Sequence, residues 1–398
     1  MWTTGGPGPS ARVAADLSEN RGFPAPTGLW QTRGIPPGSL MSPSVVLRVH
    51  TDLRLGAGHV ARALAVADPL KALGAEVCLA VSGDERARRV GAGRHPWLDQ
   101  AITCPVVDLG EDVAAPLPEE LKSRSQAVLL DTWETTPESV QSLRPLRVAV
   151  MEDDSDAHEG ADLLFQPYLE GVNWPDHPVR LVNGRRVRPH ETRHGACRVL
   201  RGSAFIVVDP QAVQLRPRRE PLQPLAVHRL LVSFGTADGP GLAQRAMAVL
   251  TRMVREEAWA GTLTLLAPRG IEGDVVPGCT VLDHLPNLTR RIQDFDALWS
   301  AAGLTLAEAA CLGVPVAAWG QNERQHQMIF DMAQAGGCFD LGVGPEADLA
   351  TTAAALARWM GPEGQDTRQE QCRDGMRLVD GMGAVRVAQE LLALARGA

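Results

Sequence analysis

The sequence lacks several features that would assign it to a large class of proteins. It has no stretch of about 18 uncharged apolar residues, the minimum for a membrane-spanning helix, and its first residues lack the apolar core of a signal peptide. Its seven cysteines are widely spaced and form no Cys-x-x-Cys pair, which argues against a disulfide framework or a zinc site. We therefore expect free thiols, a cytoplasmic location and no membrane span.

Motifs for metal and ATP chemistry are also missing. There is no P-loop, no Asp-x-Asp motif in a setting that suggests a metal-held diphosphate, and no metal-ligand spacing of histidines and cysteines. The net charge of -8 argues against a general nucleic-acid binder. The sequence therefore predicts a protein that needs neither a metal nor another cofactor and does not bind nucleic acid.

What the sequence does contain is a repeated alternation of short apolar runs and helical patterns. Continuous apolar strands separated by helices indicate parallel sheets that are covered on both faces. The candidate strands form two series, 45–49, 77–81, 127–131 and 147–151, then 229–234, 262–267, 297–301 and 314–319. We predict an α/β protein with two doubly wound Rossmann-like domains that face a central cleft.

The composition also predicts where the domains begin and end. Residues 1–40 are rich in Gly, Pro and Ser and lack periodicity, so we expect them to be disordered or to precede a true start at Met41. The regions predicted after them are an N-terminal domain at 41–205, a linker at 206–224, a second domain at 225–375, which the resemblance described below implies to be nucleotide-binding, and a C-terminal helix at 376–398 that packs back.

The stretch GAGHVAR joins the first candidate strand to a helical pattern. Gly56 and Gly58 lie where the chain leaves the sheet, so backbone N–H groups and the positive end of the helix dipole face the cleft. His59 follows directly, and Arg62 shares its helix face. A histidine at this place suits a general base. The alternative is a partly buried histidine that bonds a neighbouring loop.

Two further units of this kind occur in the second series. In SFGTADGPG, Gly235 and Thr236 leave the strand, and Asp238 or Gly239 can cap a helix with Pro240 at its first position. In AAGLTLAEAA, Thr305 and Glu308 fit the capping box S/T-x-x-E, which satisfies helix-end N–H groups without a ligand.

The run RVHTDLRLGAGHVAR resembles the opening motif R-x-D-x(5)-G-x-G-H-x-x-R of the PseG/SpsG family, which comprises UDP-sugar hydrolases and relatives of nonulosonic-acid and spore-coat polysaccharide synthesis. The matching positions are Arg48, Gly56, Gly58, His59 and Arg62. His50 stands at the position of the family's aspartate, and Asp52 is the nearest carboxylate. LLDTWE resembles the family's D-H-Y motif, with Asp131 kept and Trp133 in place of tyrosine.

This resemblance implies a GT-B-like fold, a catalytic role for His59, Asp52 and Asp131, and substrate contacts. The implied contact residues are Arg48, Gly56, Gly58, Arg62 and Trp133. The acidic segment 150–167 also resembles a family segment, at Asp153, Asp154, His158 and Asp162. For Asp153 and Asp154, a solvated turn that caps the next segment is the alternative.

The string G-L-T-x-x-E-A…G-V-P resembles the nucleotide-binding signature of GT-B glycosyltransferases, including the MurG group. The resemblance implies that Glu308 holds the ribose hydroxyls and that the helix N-terminus at Gly303 and Thr305 receives the diphosphate. It also implies a sugar or phosphate contact from Gln325, and phosphate contacts from Gly235, Thr236 and Asp238.

Together these resemblances imply hydrolysis of a nucleotide sugar, with UDP as the expected nucleotide. His59 would remove a proton from water, which attacks the anomeric carbon and releases the nucleoside diphosphate. Glycosyl transfer to a hydroxyl acceptor and binding without turnover are the alternatives. The expected partner is the small-molecule nucleotide sugar, and other enzymes of the same biosynthesis are further candidates.

Overall fold

Two parallel sheets provide the framework of the chain. The structure is a computed structural model and describes residues 42–52, 56, 58–85, 89–90, 102–132, 135–153, 155–167, 190–236 and 238–397. The segment 1–40, predicted to be disordered or to precede the start, lies outside the described residues. Both sheets belong to one compact unit, Leu40–Ala398.

The strands occur in the two predicted series. Those of the first sheet are β1 Ser44–Thr51, β2 Glu76–Gly83, β3 Val106–Asp108, β4 Ala127–Asp131, β5 Arg147–Met151, β6 Leu163–Gln166, β7 His190–His194 and β8 Cys197–Arg201. Those of the second are β9 Arg229–Ser233, β10 Thr262–Leu266, β11 Cys279–Leu282, β12 Ala297–Ser300, β13 Val316–Gly320 and β14 Phe339–Val343.

Helices connect the strands. They are α1 Gly58–Ala72, α2 Glu119–Arg124, α3 Pro137–Ser142, α4 Pro210–Leu215, α5 Leu242–Arg255, α6 Leu288–Arg291, α7 Leu304–Leu312, α8 Glu323–Gln334, α9 Leu349–Met360, α10 Gln365–Leu378 and α11 Gly383–Ala395. Short 3₁₀ turns occupy Asp156–Gly160, Ser203–Phe205, Ile292–Asp294, Gly344–Glu346 and Pro362–Gly364.

The strand orders are β3-β2-β1-β4-β5-β6-β8-β7 in the first sheet and β11-β10-β9-β12-β13-β14 in the second. The paired strands are parallel except β7 and β8. In each sheet the winding direction reverses beside the first strand, so a crevice opens between β1 and β4 and between β9 and β12. The predicted pair of doubly wound sheets is confirmed. We call β1–β8 with α1–α3 and α11 the first lobe, and β9–β14 with α4–α10 the second lobe.

Each sheet has a hydrophobic core on both faces because successive side chains of its strands point in opposite directions. In β1, Val45 and Leu47 lie in one core cluster, and Val46 lies in the cluster on the opposite face. In β9, Leu230 and Leu231 are divided in the same way. This two-sided burial explains why the strands read as continuous apolar runs.

The last helix, α11, packs on the first sheet. Its Val387 and Leu391 lie in the same core cluster as Leu47. The helix begins at Gly383, where a Cβ would lie 1.9 Å from the carbonyl oxygen of Ile206. Glycine therefore lets the helix approach the segment that joins the two lobes.

Candidate active site

The crevice of the first lobe contains His59 and Asp131. Asp131 ends β4 opposite Val49 of β1, and His59 is the second residue of α1, which follows β1. The His59 Nδ1 lies 2.6 Å from Asp131 Oδ1, with the histidine side chain 13% exposed and the carboxylate 1% exposed. The structure thus brings two of the three predicted catalytic residues together.

Arg62 holds the same carboxylate from one turn further along α1. Its Nε donates to Asp131 Oδ2 at 2.8 Å and its Nη2 to Oδ1 at 2.6 Å, a bidentate pair of the strong, charge-assisted kind. Burial alone would raise the pKa of Asp131, but Arg62 and His59 outweigh it and hold that pKa well below its usual range. Asp131 is therefore ionised at neutral pH.

An ionised carboxylate fixes the tautomer of His59. Asp131 can only accept a hydrogen bond, so the short contact requires the proton of the neutral imidazole on Nδ1. The Nε2 atom then carries the lone pair that can take a proton. When it does so, the carboxylate stabilises the imidazolium, as in catalytic triads.

Glu152 completes this cluster, and the sequence analysis did not identify it. It follows β5 and pairs with Nη1 of Arg62, while its side chain is 16% exposed. The signal that could have found it is its position: Glu152, like Asp131, lies at the carboxyl end of a strand near the crevice. We name His59, Arg62, Asp131 and Glu152 the His59 cluster.

Arg48 is engaged with the protein itself. Its guanidinium, on a residue 3% exposed, donates to Ser82 Oγ and to the carbonyl of Val113, both at 2.9 Å. Burial lowers the pKa of Arg48 to about 10. The sequence predicts that Arg48 contacts the substrate. Because its donors are engaged within the protein, we propose instead that Arg48 supports the loop around Val113.

His50 and Asp52 lie beside each other at the end of β1. The His50 Nδ1 is 2.8 Å from Ser82 Oγ, and its Nε2 is 3.6 Å from Asp52 Oδ2. Burial lowers the pKa of His50. Gly56 donates its N–H to the Asp52 carbonyl at 2.9 Å. Asp131 rather than Asp52 is thus the carboxylate that the structure brings to His59, and a catalytic role for Asp52 stays a prediction.

The acidic segment after β5 buries Asp153 and His158 and exposes Ser155 and Glu159. Asp153 is 5% exposed and accepts from His158 Nδ1 at 2.9 Å and from the Ser155 hydroxyl at 2.7 Å. Its carboxylate stabilises the 3₁₀ turn that follows, as the capping alternative expects, but Asp153 itself is buried and not solvated. Asp162 Oδ2 forms an ion pair with Arg144 Nη1 at 2.8 Å. Asp154 and Trp133 lie outside the described residues.

Glycines border open space in both lobes. A Cβ added to Gly58, Gly235 or Gly303 would have no described protein atom within 4 Å. Gly235 has a φ of +88° and Gly303 a φ of +140°, conformations that favour glycine. These positions can therefore let a ligand approach the backbone, and Thr236 lies next to Gly235, half-buried.

The helix N-termini of the second lobe differ from each other. Asp238, 3% exposed, accepts from the N–H groups of Leu242 and Ala243 at 2.7 and 3.1 Å and so satisfies the start of α5. Helix α7 has Gly303 as its N-cap, which supplies no side-chain hydrogen bond. The first N–H groups of α7 are therefore the better candidates for an anion, and Asp238 is structural in our proposal.

The capping-box interpretation of Thr305 and Glu308 is wrong. Both residues lie within α7, after the N-cap Gly303. The Glu308 carboxyl, 6% exposed, accepts instead from Thr289 Oγ1 at 3.0 Å. Burial first, and the nearby Asp209 carboxylate second, raise the pKa of Glu308 to about 8. The isolated protein therefore holds this carboxyl mainly in its neutral form at pH 7.

Gln325 lies in the first turn of α8. Its Oε1 accepts from the Gln321 N–H at 3.1 Å, while its own N–H bonds to the N-cap Asn322 at 3.0 Å. Gln325 is half-buried, and its side chain bonds to the short loop between the end of β13 and the start of α8. Between the two lobes, Arg324 Nη2 donates to the backbone carbonyl of Glu152 at 3.4 Å.

Two properties of the described chain as a whole bear on the site. Within the ranges that the structure describes, no group of three or more His, Cys, Asp or Glu is placed to hold a metal ion. None of the described helices is both long and apolar enough to cross a bilayer.

Two doubly wound lobes with facing crevices define the GT-B fold, and solved structures confirm it. The chain is similar to the MurG structure of Acinetobacter baumannii, with a TM-score of 0.51 and 13% identity over 88% of this chain and 99% of that one. It is also similar to the glycosyltransferase VinC in complex with dTDP, with a TM-score of 0.50 and 13% identity over 89% of this chain and 100% of that one.

Among curated proteins, the chain is similar to the spore coat polysaccharide biosynthesis protein SpsG of Bacillus subtilis (strain 168). The two are 23% identical over 340 residues, which are 83% of this chain and 93% of SpsG. No protein-family model matches the chain. The resemblance to SpsG that the motifs indicate is thus confirmed over most of the sequence.

Proposed function

We propose that the protein processes a nucleotide sugar, most simply by hydrolysis to the nucleoside diphosphate and the free sugar. The observation that carries this proposal is the His59–Asp131 pair in the crevice of the first lobe, with its 2.6 Å contact and an ionised carboxylate. The similarity to SpsG supports a role in polysaccharide synthesis, and the dTDP complex of VinC supports a nucleotide as ligand.

In the proposed reaction, His59 Nε2 takes a proton from water. The water oxygen forms a bond to the anomeric carbon, and the bond from that carbon to the diphosphate oxygen breaks. The diphosphate leaves with the electron pair of that bond. Because water attacks from the face opposite the diphosphate, the configuration at the anomeric carbon inverts. Asp131 stabilises the imidazolium that results.

The leaving diphosphate needs donors that stabilise negative charge. The uncapped start of α7 at Gly303 supplies backbone N–H groups and the positive end of a helix dipole, and Gly58 and Gly235 leave room for a close approach. Gln325 adds an amide donor. Because UDP is the nucleotide that the motif resemblance implies, a UDP-sugar is the first substrate to test.

Glu308 is the proposed ribose ligand, in its ionised form. Its carboxylate can accept from two hydroxyls, but the carboxyl of the isolated protein is mainly neutral at pH 7 because its pKa is about 8. Ribose binding in this form therefore requires release of a proton, and the affinity for the nucleotide is expected to rise between pH 6 and pH 8.

Glycosyl transfer is the second candidate, and the glycosyltransferase VinC among the similar structures favours it. The same groups serve both reactions, because only the nucleophile differs: water in one, a hydroxyl of the acceptor in the other. The crevice itself does not distinguish them.

Incubation with a panel of UDP-, dTDP- and other nucleotide sugars, without acceptor, tests the proposal. Release of nucleoside diphosphate is followed by phosphorus NMR, with His59→Asn as the control. Release that the control lacks supports hydrolysis by His59. Binding without release, followed by turnover once hydroxyl acceptors are added, supports transfer. A protein that binds no nucleotide sugar contradicts both candidates.

A further inference from the structure

Glu152 holds a backbone conformation that residues with a side chain rarely adopt. Its φ is 59°, in the left-handed region where Cβ crowds the following carbonyl oxygen. Its N–H bonds to the carbonyl of Phe165 at 2.9 Å, so the sheet fixes this conformation. Strained residues of this kind persist where the surrounding structure imposes them, and they cluster at functional sites. A glutamate here, where glycine would be relaxed, points to a function of its side chain.

The Glu152 side chain controls the position of Arg62. Arg62 Nη1 pairs with Glu152, while its Nε and Nη2 hold Asp131. Nη2 also lies 3.3 Å from the His59 Nδ1. Arg62 can only donate and ionised Asp131 can only accept, so the two neighbours of Nδ1 favour opposite tautomers of the imidazole. The contact with Asp131 is the shorter of the two, at 2.6 Å, and it favours the tautomer with the proton on Nδ1.

The Glu152 backbone contacts the other lobe. Its carbonyl oxygen accepts from Arg324 Nη2 at 3.4 Å, and Arg324 lies in the first turn of α8, next to Gln325. The same residue therefore touches the His59 cluster through its carboxylate and the nucleotide side through its carbonyl.

We propose that Glu152 is a positioning residue that links the two lobes: its carboxylate keeps Arg62 Nη2 from moving closer to His59 Nδ1 than the present 3.3 Å, and Arg324 fixes the backbone that aims this carboxylate. The role of the tautomer in turnover rests on the proposed function, whereas the tautomer itself does not. Without the Glu152 charge, Arg62 turns its Nη2 toward Nδ1, and part of the His59 population moves its proton to Nε2, which is the wrong form for a base.

The test combines kinetics with NMR of the full chain, with ¹³C and ¹⁵N labels in histidine. His59→Asn identifies the signals of residue 59, and the ring shifts report which nitrogen carries the proton. Glu152→Gln removes the charge and keeps the shape, and Glu152→Gly also relaxes the backbone while keeping the carbonyl. Glu257, exposed and with a φ of 53°, gives the matched control Glu257→Gly, and Arg324→Met removes the interlobe donor.

The wild type is expected to show the Nδ1–H form, and both Glu152 variants a mixture of the two forms. Their kcat should fall about 10- to 100-fold, the usual effect of losing a residue that orients a catalytic ligand, with KM within about twofold of the wild type. Glu257→Gly should leave the tautomer and kcat unchanged. Arg324→Met should lower kcat, and the Glu152→Gln/Arg324→Met double variant should be no slower than Glu152→Gln alone, because both act through one residue.

An unchanged tautomer in Glu152→Gln overturns the proposal, and so does a double variant whose losses multiply. Because the tautomer is measured without substrate, a protein that fails to turn over any nucleotide sugar refutes the proposed function and still leaves the role of Glu152 open to this measurement.

Discussion

The two lobes each bury one carboxyl group in their crevice, and they treat it in opposite ways. Asp131 in the first lobe is surrounded by donors with positive charge or a ring N–H, which hold its pKa well below the usual range. Glu308 in the second lobe accepts from the Thr289 hydroxyl and from the backbone N–H of Asp209, and burial first and the Asp209 carboxylate second raise its pKa to about 8. Similar burial therefore produces an ion in one lobe and a mainly neutral acid in the other.

The difference agrees with the roles that the proposed function gives to the two carboxyl groups. A charge that orients His59 must be present before the substrate arrives, so the protein supplies its partners in advance. A group that meets ribose hydroxyls can receive its hydrogen bonds from the ligand. Under the proposed function, part of the binding energy of the nucleotide would be used to remove the proton of Glu308.

Asp131→Asn should have the largest effect. It removes the ion that fixes the His59 tautomer, and kcat should fall by roughly a thousandfold. It also breaks a buried pair of Arg62, which should cost about 3–5 kcal/mol of the free energy of unfolding. Single-turnover kinetics and urea titration measure the two effects. The matched control is Asp162→Asn, which loses the Arg144 pair and should reduce stability without changing kcat; a slow Asp162 variant would contradict the comparison.

Glu308→Gln should separate binding from stability. At pH 7 the Glu308 carboxyl is ionised in the unfolded chain but mainly neutral in the folded protein, so folding takes up a proton that glutamine does not need. The free energy of unfolding at pH 7 should therefore rise in Glu308→Gln. The affinity for a nucleoside diphosphate should fall about 10- to 100-fold, because an ionised acceptor is lost. Isothermal titration of UDP and urea titration give both values. A large loss of stability with unchanged affinity would mean that Glu308 is a structural residue.

The pH dependence of stability should differ between the two lobes. Glu308 has a raised pKa, so its contribution to stability is full below its ordinary value of 4.5 and is lost as the pH rises through about 8. Asp131 has a lowered pKa, so its contribution is present above its ordinary value of 3.8 and is lost only as the pH falls through the lower value. Urea titrations from pH 2 to pH 9 should show Glu308→Gln flattening the limb between pH 4.5 and about 8, and Asp131→Asn flattening the acidic limb below pH 3.8. Equal effects of both variants on one limb would refute the contrast.

Gly58→Ala should have the smallest effect on the fold. Gly58 lies at the start of α1, outside the positive-φ glycines, and its Cβ would meet no described atom within 4 Å. Alanine should therefore stabilise the protein by about 0.5–1 kcal/mol. If a ligand approaches this backbone, turnover should nevertheless fall about tenfold. Gly303→Ala is the contrasting variant, since its φ of +140° makes alanine strained. If Gly58→Ala is more stable than the wild type and keeps full activity, then no ligand approaches the backbone at this position.

The central strands could be predicted from the sequence because they are buried on both faces. The eight candidate strands correspond to β1, β2, β4, β5, β9, β10, β12 and β13. Four of the six missed strands, β3, β7, β11 and β14, are the edges of the sheets. Edge strands are short and carry polar residues, as in HETRH of β7, so they give no continuous apolar run.

The candidate site could be predicted only where a motif fixes local geometry. His59 follows a strand and two glycines, and Asp131 ends a strand, so both could be found from their positions. Glu152 also follows a strand end, but no motif marks it, and its contact with Arg62 joins residues 90 positions apart. The capping box failed because Thr305 and Glu308 have the right spacing but lie two residues too far into α7; the spacing does not determine where a helix begins.

The return of α11 to the first sheet also determines when that lobe can fold. Its Val387, Ala388 and Leu391 belong to the core around β1, so on the ribosome the first half of the chain emerges without a part of its own interior. Domains usually fold in order of synthesis, but here the first lobe must wait for the whole second lobe to be made. During that interval its apolar surface is exposed, and chaperones that bind unfinished chains are expected to hold it longer than a chain of this length would otherwise require.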